Sequence, residues 1–175
     1  MQAIFRPKNT LNWVLQEFAG PDARDFLNRM TTVNVQQLRP SEGGLGFFLS
    51  ASGKIRAQFF LGCVSEDRFV FEYDAGKNGE WISALSGTIE QFTFAERQQL
   101  SSPSSNECIW IFLGSGQDLP GREALSGSLI LEHGSRDFGL VWFSVWGESE
   151  LLRSWQLKYF AEAQLWDWSE LDRRR

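Results

Sequence analysis

The sequence predicts an α+β fold made of two α/β lobes, and three observations support that prediction. Segments with period-two alternation of apolar residues, typical of strands, are mixed with segments of helical spacing, and both hairpins and crossovers connect them. A serine-rich linker at residues 101–106 separates lobes of about 1–100 and 107–175. Hydrophobic residues make up 42% of the 175 positions, with 15 Phe and 8 Trp, which is enough apolar material for a core.

The first lobe opens with a strand and a short helix. Residues 11–19 predict a strand that leads to Gly20 and Pro21, where the fixed dihedral angle of proline suits the first turn of a helix. Asp22 adds negative charge, which is favourable at a helix N-terminus. The β-branched residues 31–33 end the helix. Its apolar stripe recurs at i, i+3, i+4 and i+7 and comprises Ala23, Phe26, Leu27 and Met30.

The remaining elements follow from the same two periodicities. Residues 40–44 are a loop by composition. In the first lobe we predict strands over 45–49, 54–64, 68–73 and 92–99 and a helix over 79–91. In the second lobe we predict strands over 108–113, 128–132 and 139–146, a short helix over 121–125, a helix over 148–160 and a last helix from about Asp167.

Charge and targeting signals limit the classes of partner. The net charge of −5 is spread along the chain and forms no basic stripe, so we expect no direct contact with nucleic acid. The N-terminal residues lack an apolar signal core and no segment approaches a membrane span, so we expect a soluble cytoplasmic protein with no membrane partner. Cys63 and Cys108 lie in separate apolar segments, which favours reduced, buried thiols over a disulfide or a metal site.

The sequence contains no motif that predicts catalysis. His133 is the only histidine, and no partner for a triad or a metal site is evident, so we expect it at a strand end. The glycine-rich stretches 42–46 and 114–116 lack the strand, helix and downstream acid of a dinucleotide site, and they also lack a Walker lysine. We therefore assign no catalytic residue and no metal ligand.

Trp13 and Trp168 are candidate binding residues. Trp13 lies on the first strand ahead of the Gly20 turn, and Trp168 opens the last predicted helix. An indole ring stacks well on a flat heteroaromatic ligand, but it serves equally well as core packing. The residues alone leave both alternatives open.

Three motifs, taken in order, resemble a known family. They are Gly-Pro-Asp-Ala-Arg-Asp-Phe-Leu at 20–27, Thr-Val-Asn-Val at 32–35 and Gly-Lys-Ile-Arg-Ala-Gln-Phe at 53–59. Their order and spacing resemble the family that joins the aminomethyltransferase of the glycine cleavage system to the YgfZ proteins of iron–sulfur cluster maintenance. The resemblance covers residues 11–99 well and the remainder only through the order of strands and helices.

The resemblance implies a fold, a ligand and a role. The family has a folate-binding fold of α/β and β lobes around a central pocket, so tetrahydrofolate or a related folate is the implied cofactor. Trp13 and Trp168 match the two positions at which YgfZ-like members line that pocket. The implied role is the assembly or repair of iron–sulfur clusters in client enzymes, a role linked to tRNA modification.

Two departures from the family pattern shape the functional hypotheses. Aminomethyltransferases carry acids on the strand where this chain has Ala57 and Gln58, and a neutral amide cannot accept a proton as a carboxylate does. The YgfZ signature and the C-terminal barrel would lie beyond residue 175, so we expect either a fragment or a short family member. We therefore expect a non-catalytic folate-binding protein. The alternatives are a partner-binding or scaffold subunit with a degenerate pocket and, third, an active aminomethyltransferase.

Overall fold

The computed structural model describes residues 3–5, 13–76, 79–104, 106–114, 117–134, 140–161 and 163–166. These residues form two compact units. The first unit lies within residues 11–105, and the second unit combines strand β1 (Ala3–Phe5) with residues from 106 onward. The predicted first lobe of about 1–100 includes residues 3–5, but the backbone of these residues pairs with a strand of the second unit.

Among its described residues, the first unit contains five strands in an antiparallel arrangement, two α-helices and a 3-10 helix (Val35–Gln37). Its strands follow the order β3-β4-β5-β2-β6, and each neighbouring pair is antiparallel. Hairpins join β3 to β4 and β4 to β5, as the alternation of apolar and polar residues predicted. The elements are β2 (Trp13–Ala19), α1 (Ala23–Met30), β3 (Glu42–Leu49), β4 (Ile55–Cys63), β5 (Arg68–Asp74), α2 (Glu80–Phe92) and β6 (Gln99–Leu100).

Two local predictions in this unit are wrong. Residues 42–44 belong to β3 rather than to a loop, because Gly43 and Gly44 pair with β4 and the ladder overrides the loop-like composition. Residues 94–98 are not a strand, because the Glu96 side chain accepts hydrogen bonds from the backbone N–H groups of Phe94 and Ala95 and holds a turn there. Only Gln99–Leu100 forms strand structure.

Helices α1 and α2 cover one face of the first unit's strands. At the centre of that face, Phe59 and Phe71 stand edge to face, with ring centroids 4.9 Å apart. Further buried members of this core are Phe18, Phe26, Leu27, Phe48, Leu61, Leu85 and Ile89. Burial of each large apolar side chain contributes about 1.5–3 kcal/mol, so this face holds the unit together.

Arg24 fixes α1 to the turns at one end of the unit. Its guanidinium donates hydrogen bonds to the carbonyl oxygens of Val35 (2.6 Å) and Glu66 (3.1 Å) and lies over the Phe69 ring at 5.0 Å. It also donates to Sγ of Cys63 at 3.5 Å. Burial raises the pKa of the Cys63 thiol, and Cys63 and Cys108 are both buried, as the sequence predicted.

Gly20 permits a close crossing between the start of α1 and the segment before β6. Its φ of +146° lies in a region that favours glycine, and a Cβ atom there would lie 2.7 Å from Cα of Gln98. Asp22 accepts a hydrogen bond from the backbone N–H of Arg97 at 2.8 Å on the same crossing. Position 20 therefore requires glycine, because another residue would be strained at this φ and its Cβ atom would clash with the segment before β6.

The second unit repeats the plan of strands covered by a helix on one face. Its strands follow the order β10-β1-β7-β9-β8, with β1 and β10 parallel and the other neighbours antiparallel. Its helix-covered core includes Ile109, Ile111, Leu113, Phe143, Val145, Leu152 and Trp155. Besides β1, the elements are β7 (Glu107–Gly114), the 3-10 helix Arg122–Leu125, β8 (Leu129–His133), β9 (Leu140–Gly147), α3 (Ser149–Tyr159) and β10 (Gln164–Trp166).

The predicted helix from Asp167 lies outside the described residues. Within the described parts of the chain, every helix is too short or too polar to cross a bilayer.

Candidate ligand-binding site

Trp13 lies on the face of the first unit's strands that the two helices leave uncovered. Residues directly opposite each other in an antiparallel pair share a face, as do alternate residues of one strand. Trp13 pairs with Asp74. On the same side of the sheet, a row of paired residues crosses four strands and consists of Leu15, Glu72, Phe60 and Leu45. We call this surface, defined by Trp13, Leu15, Leu45, Gln58, Phe60, Glu72 and Asp74, the Trp13 face.

The apolar part of the Trp13 face includes two aromatic rings that contact each other. The rings of Trp13 and Phe60 contact each other, with centroids 6.3 Å apart and planes tilted by 51°. Both side chains are half-buried, and Leu45 beside Phe60 is 47% exposed. An indole and a phenyl ring held at this separation offer flat apolar area to a ligand.

Two acids, which the sequence analysis did not connect with Trp13, lie on the same face. Glu72 is fully buried between Leu15 and Phe60 in the strand register. Asp74 is half-buried opposite Trp13, and its Oδ1 accepts a hydrogen bond from the Gly76 N–H at 2.9 Å. Alternation along Phe-Val-Phe-Glu-Tyr-Asp predicts that both acids share the side opposite Phe71 and Tyr73, but it does not predict which strand lies beside them.

The two neutral residues of β4 point to opposite faces. Ala57 is buried in the helix-covered core, whereas Gln58 is exposed on the Trp13 face, two residues from Phe60. Of the two positions, only 58 would present an acid to a ligand on that face. The amide of Gln58 offers hydrogen bonds but no proton acceptor of carboxylate strength.

A buried polar chain supports β2 from the helix-covered side. The Tyr73 hydroxyl donates a hydrogen bond to the Gln16 side-chain oxygen, and the Gln16 amide donates to the carbonyl oxygen of Ser101 at 2.8 Å. Burial raises the pKa of the Tyr73 phenol, so it stays protonated and remains a donor. This chain holds the strand that carries Trp13 against β5 and the segment after β6.

Trp168 lies outside the described residues, so its pairing with Trp13 stays a prediction. Two surface clefts in the first unit, of about 380 and 470 Å³, are lined by other residues and do not include Trp13. In the part of the chain that the structure describes, no three His, Cys, Asp or Glu side chains come together to hold a metal ion.

His133 is the last residue of β8, at a strand end as expected. Its Nε2 lies 3.0 Å from the Ser144 hydroxyl, and its ring stacks on Trp142 with centroids 3.9 Å apart. Both His133 and Ser144 are buried. The pair is a buried contact between β8 and β9.

Comparison with known proteins supports a fold class. No family model matches the sequence, and no curated protein matches it. The structure is similar to the crystal structure of the glycine cleavage system aminomethyltransferase T from Bartonella henselae, with a TM-score of 0.66 and 18% sequence identity. The alignment covers 94% of this chain and 47% of that one, so the chain spans about half the length of the aminomethyltransferase. The chain therefore has an aminomethyltransferase-like fold, and at this identity the likeness concerns the fold alone.

Proposed function

We propose that this chain binds a reduced folate, or a related flat heterocycle, on the Trp13 face and catalyses no reaction on it. The observation that carries the proposal is the contact between the half-buried Trp13 and Phe60 rings on an aminomethyltransferase-like fold. The sequence motifs at residues 20–27 and 53–59, which resemble a folate-binding family, support the same ligand class.

The chemistry of the Trp13 face suits a pterin ring. A pterin is flat and carries several N–H donors along one edge, so it is matched by an aromatic wall beside hydrogen-bond acceptors. Asp74, which is half-buried on the same face as the two rings, supplies carboxylate oxygens as hydrogen-bond acceptors. Stacking on an aromatic ring contributes about 1–3 kcal/mol for a heterocyclic base, which is enough to decide the affinity of a small ligand.

Gln58 supports the non-catalytic part of the proposal. A transfer reaction that moves a proton needs a group of suitable pKa within hydrogen-bond reach of the reacting atoms. Position 58 is exposed on the Trp13 face and carries an amide, while the buried position 57 carries a methyl group. At the β4 position of that face where the resemblance places an acid of aminomethyltransferases, this chain therefore has an amide, and the acids of the face, Glu72 and Asp74, lie on β5 instead.

Calorimetry of the whole chain with a stable reduced folate, 5-formyltetrahydrofolate, tests the proposal. We expect heat of binding and a raised melting temperature, since a ligand that binds only the folded state stabilises it. Replacing Trp13→Ala should weaken binding roughly tenfold, the loss expected for one aromatic stack. Absence of both heat and thermal shift at millimolar ligand would contradict the proposal.

Trp81 provides the matched control for Trp13. It lies on α2 of the same unit, is exposed, and is absent from the Trp13 face. Trp81→Ala should leave the dissociation constant unchanged. Equal weakening by both replacements would mean that the ligand is not stacked on Trp13.

We further propose a YgfZ-like role, in which folate binding supports the assembly or repair of iron–sulfur clusters in client enzymes. The sequence resemblance is its support. In cells lacking this protein, iron–sulfur enzyme activities should fall and should be restored by the wild-type chain but not by Trp13→Ala. Full restoration by Trp13→Ala would show that the iron–sulfur role does not require ligand binding at Trp13.

A partner-binding or scaffold subunit is the second candidate function. It is favoured by the exposed pair Leu49 and Ile55, which lie opposite each other at the end of the β3–β4 hairpin. A stable complex that forms without folate and is lost in Leu49→Ser with Ile55→Ser would support this function. Folate binding that survives the same double replacement would assign the two activities to different surfaces.

A further inference from the structure

Asp74 is an acid whose position beside Trp13 is set by the sheet register. It is the last residue of β5 and pairs with Trp13, the first residue of β2, so both side chains lie on the Trp13 face. The Cβ atoms of directly opposed residues are about 4.5–5.5 Å apart. Asp74 is half-buried. Its carboxylate is therefore within reach of the edge of a ring that stacks on the indole.

The turn after β5 holds the Asp74 side chain in one orientation. Its Oδ1 accepts a hydrogen bond from the backbone N–H of Gly76 at 2.9 Å. Gly76 has a φ of +75°, a conformation that favours glycine. The backbone N–H of Trp81 donates to the carbonyl oxygen of Ala75 at 3.2 Å, which ties the turn to the start of α2. An acceptor that is oriented before binding loses little freedom when a ligand arrives.

The second oxygen of Asp74 remains available to a ligand. Among the described residues, the Gly76 N–H is the donor to this carboxylate, and it uses Oδ1 rather than Oδ2. The ion pairs of the described residues involve other acids, namely Glu17, Asp22, Glu66 and Glu96. A carboxylate accepts hydrogen bonds and donates none. Oδ2 therefore favours an N–H donor on the ligand and disfavours a carbonyl oxygen at the same place.

We propose that Asp74 is a specificity-determining residue, which selects rings with two neighbouring N–H donors on one edge. A 2-amino-4-oxopteridine has such an edge, formed by its amino group and the adjacent ring N–H. This inference rests on the proposed binding of a flat heterocycle at Trp13. A ring with a carbonyl in place of the amino group would lose a charge-assisted hydrogen bond and set one acceptor against another. Trp13 thus supplies affinity for flat rings, and Asp74 distinguishes among them.

Titration of the whole chain with pterin and with lumazine tests the proposal. The two rings differ only at position 2, where pterin has the amino group and lumazine has a carbonyl. The wild type should bind pterin at least about tenfold more tightly, the effect of one hydrogen bond to a charged group. Asp74→Asn keeps an acceptor for the Gly76 N–H but places an amide N–H2 group where Oδ2 was, so the preference should disappear or reverse. Trp13→Ala should weaken both rings by the same factor.

Asp25→Asn is the matched control, because it removes the same charge from an exposed position on α1 and should leave the wild-type preference unchanged. Equal affinity of the wild type for both rings would overturn the proposal without any variant, as would an Asp74→Asn protein that keeps the preference. Binding of 5-formyltetrahydrofolate but of neither ring would overturn the role of Asp74 and leave the proposed function in place. Absence of binding by all three compounds would overturn the proposed function and this inference with it.

Discussion

At the scale of single residues, strand alternation decides the chemistry of β4. Ala57 and Gln58 are adjacent in the chain, yet one enters the core and the other faces the Trp13 side. The family resemblance implies that aminomethyltransferases carry acids in this part of the strand, where this chain has neutral residues at both positions. A carboxylate at position 57, however, would be buried under the helices. Position 58 is therefore the one whose neutral side chain matters for a ligand.

Two aspartate replacements test the difference in burial between positions 57 and 58. Ala57→Asp should lower the free energy of unfolding by about 3 kcal/mol or more, because a carboxylate would be buried without a partner. Gln58→Asp should change it by less than about 1 kcal/mol, since its side chain stays in solvent. Urea denaturation of both variants checks the prediction, and equal destabilisation would contradict the assigned strand faces.

Glu96 gives a prediction about pH. The Phe94 N–H, followed by the Arg29 guanidinium and the Glu96 and Ala95 N–H groups, lowers the pKa of this carboxyl from 4.5 to about 2. A lowered pKa in the folded state means that its stabilising effect is present above about pH 4.5 and is lost as the pH falls toward about 2.

Glu96→Gln should therefore be less stable than the wild type at pH 7, with a smaller difference at pH 3. Denaturant unfolding at both pH values measures this difference, and Glu90→Gln, an exposed acid on α2, is the control. A difference that is constant with pH would show that the Glu96 charge does not brace the turn.

At the scale of elements, local signals predicted helices better than strand ends. The apolar stripe of α1 and the β-branched residues at its end were sufficient to set Ala23–Met30. The start of β3 could not be predicted, because Gly43 and Gly44 are strand residues only through pairing with β4. The turn at 94–98 was not predicted because its cause is local rather than a strand pairing. The Glu96 side chain accepts hydrogen bonds from backbone N–H groups that would otherwise be available to a neighbouring strand.

Helix α2 contains a glycine that only weakens it. Gly87 lies in the exposed middle of the helix, and a Cβ atom there would meet nothing within 4 Å. Gly87→Ala should stabilise the protein by about 0.5–1 kcal/mol, the usual cost of glycine in a helix. Gly79→Ala should destabilise it, because Gly79 precedes the helix with a φ of +72°. Thermal unfolding that showed the same sign for both would contradict the helix boundaries.

At the scale of the whole molecule, the order of motifs predicted the fold class, and the aminomethyltransferase-like structure agrees with it. The mixture of strands and helices was predictable from the two periodicities. The pairing of β1 with β7 was not, because strand partners far apart in sequence leave no local signal. For the same reason the sequence indicated Trp13 but not its neighbours Phe60 and Glu72, which only the sheet register brings together.

The central claim is that Trp13 contacts the bound ligand, and fluorine NMR tests it most directly. The tryptophans are labelled as 5-fluorotryptophan, and the resonances of Trp13 and Trp81 are assigned from the variants Trp13→Phe and Trp81→Phe. On titration with 5-formyltetrahydrofolate, we predict that the Trp13 resonance moves in proportion to occupancy while that of Trp81 stays in place. Saturable binding that leaves the Trp13 resonance unmoved would contradict the account.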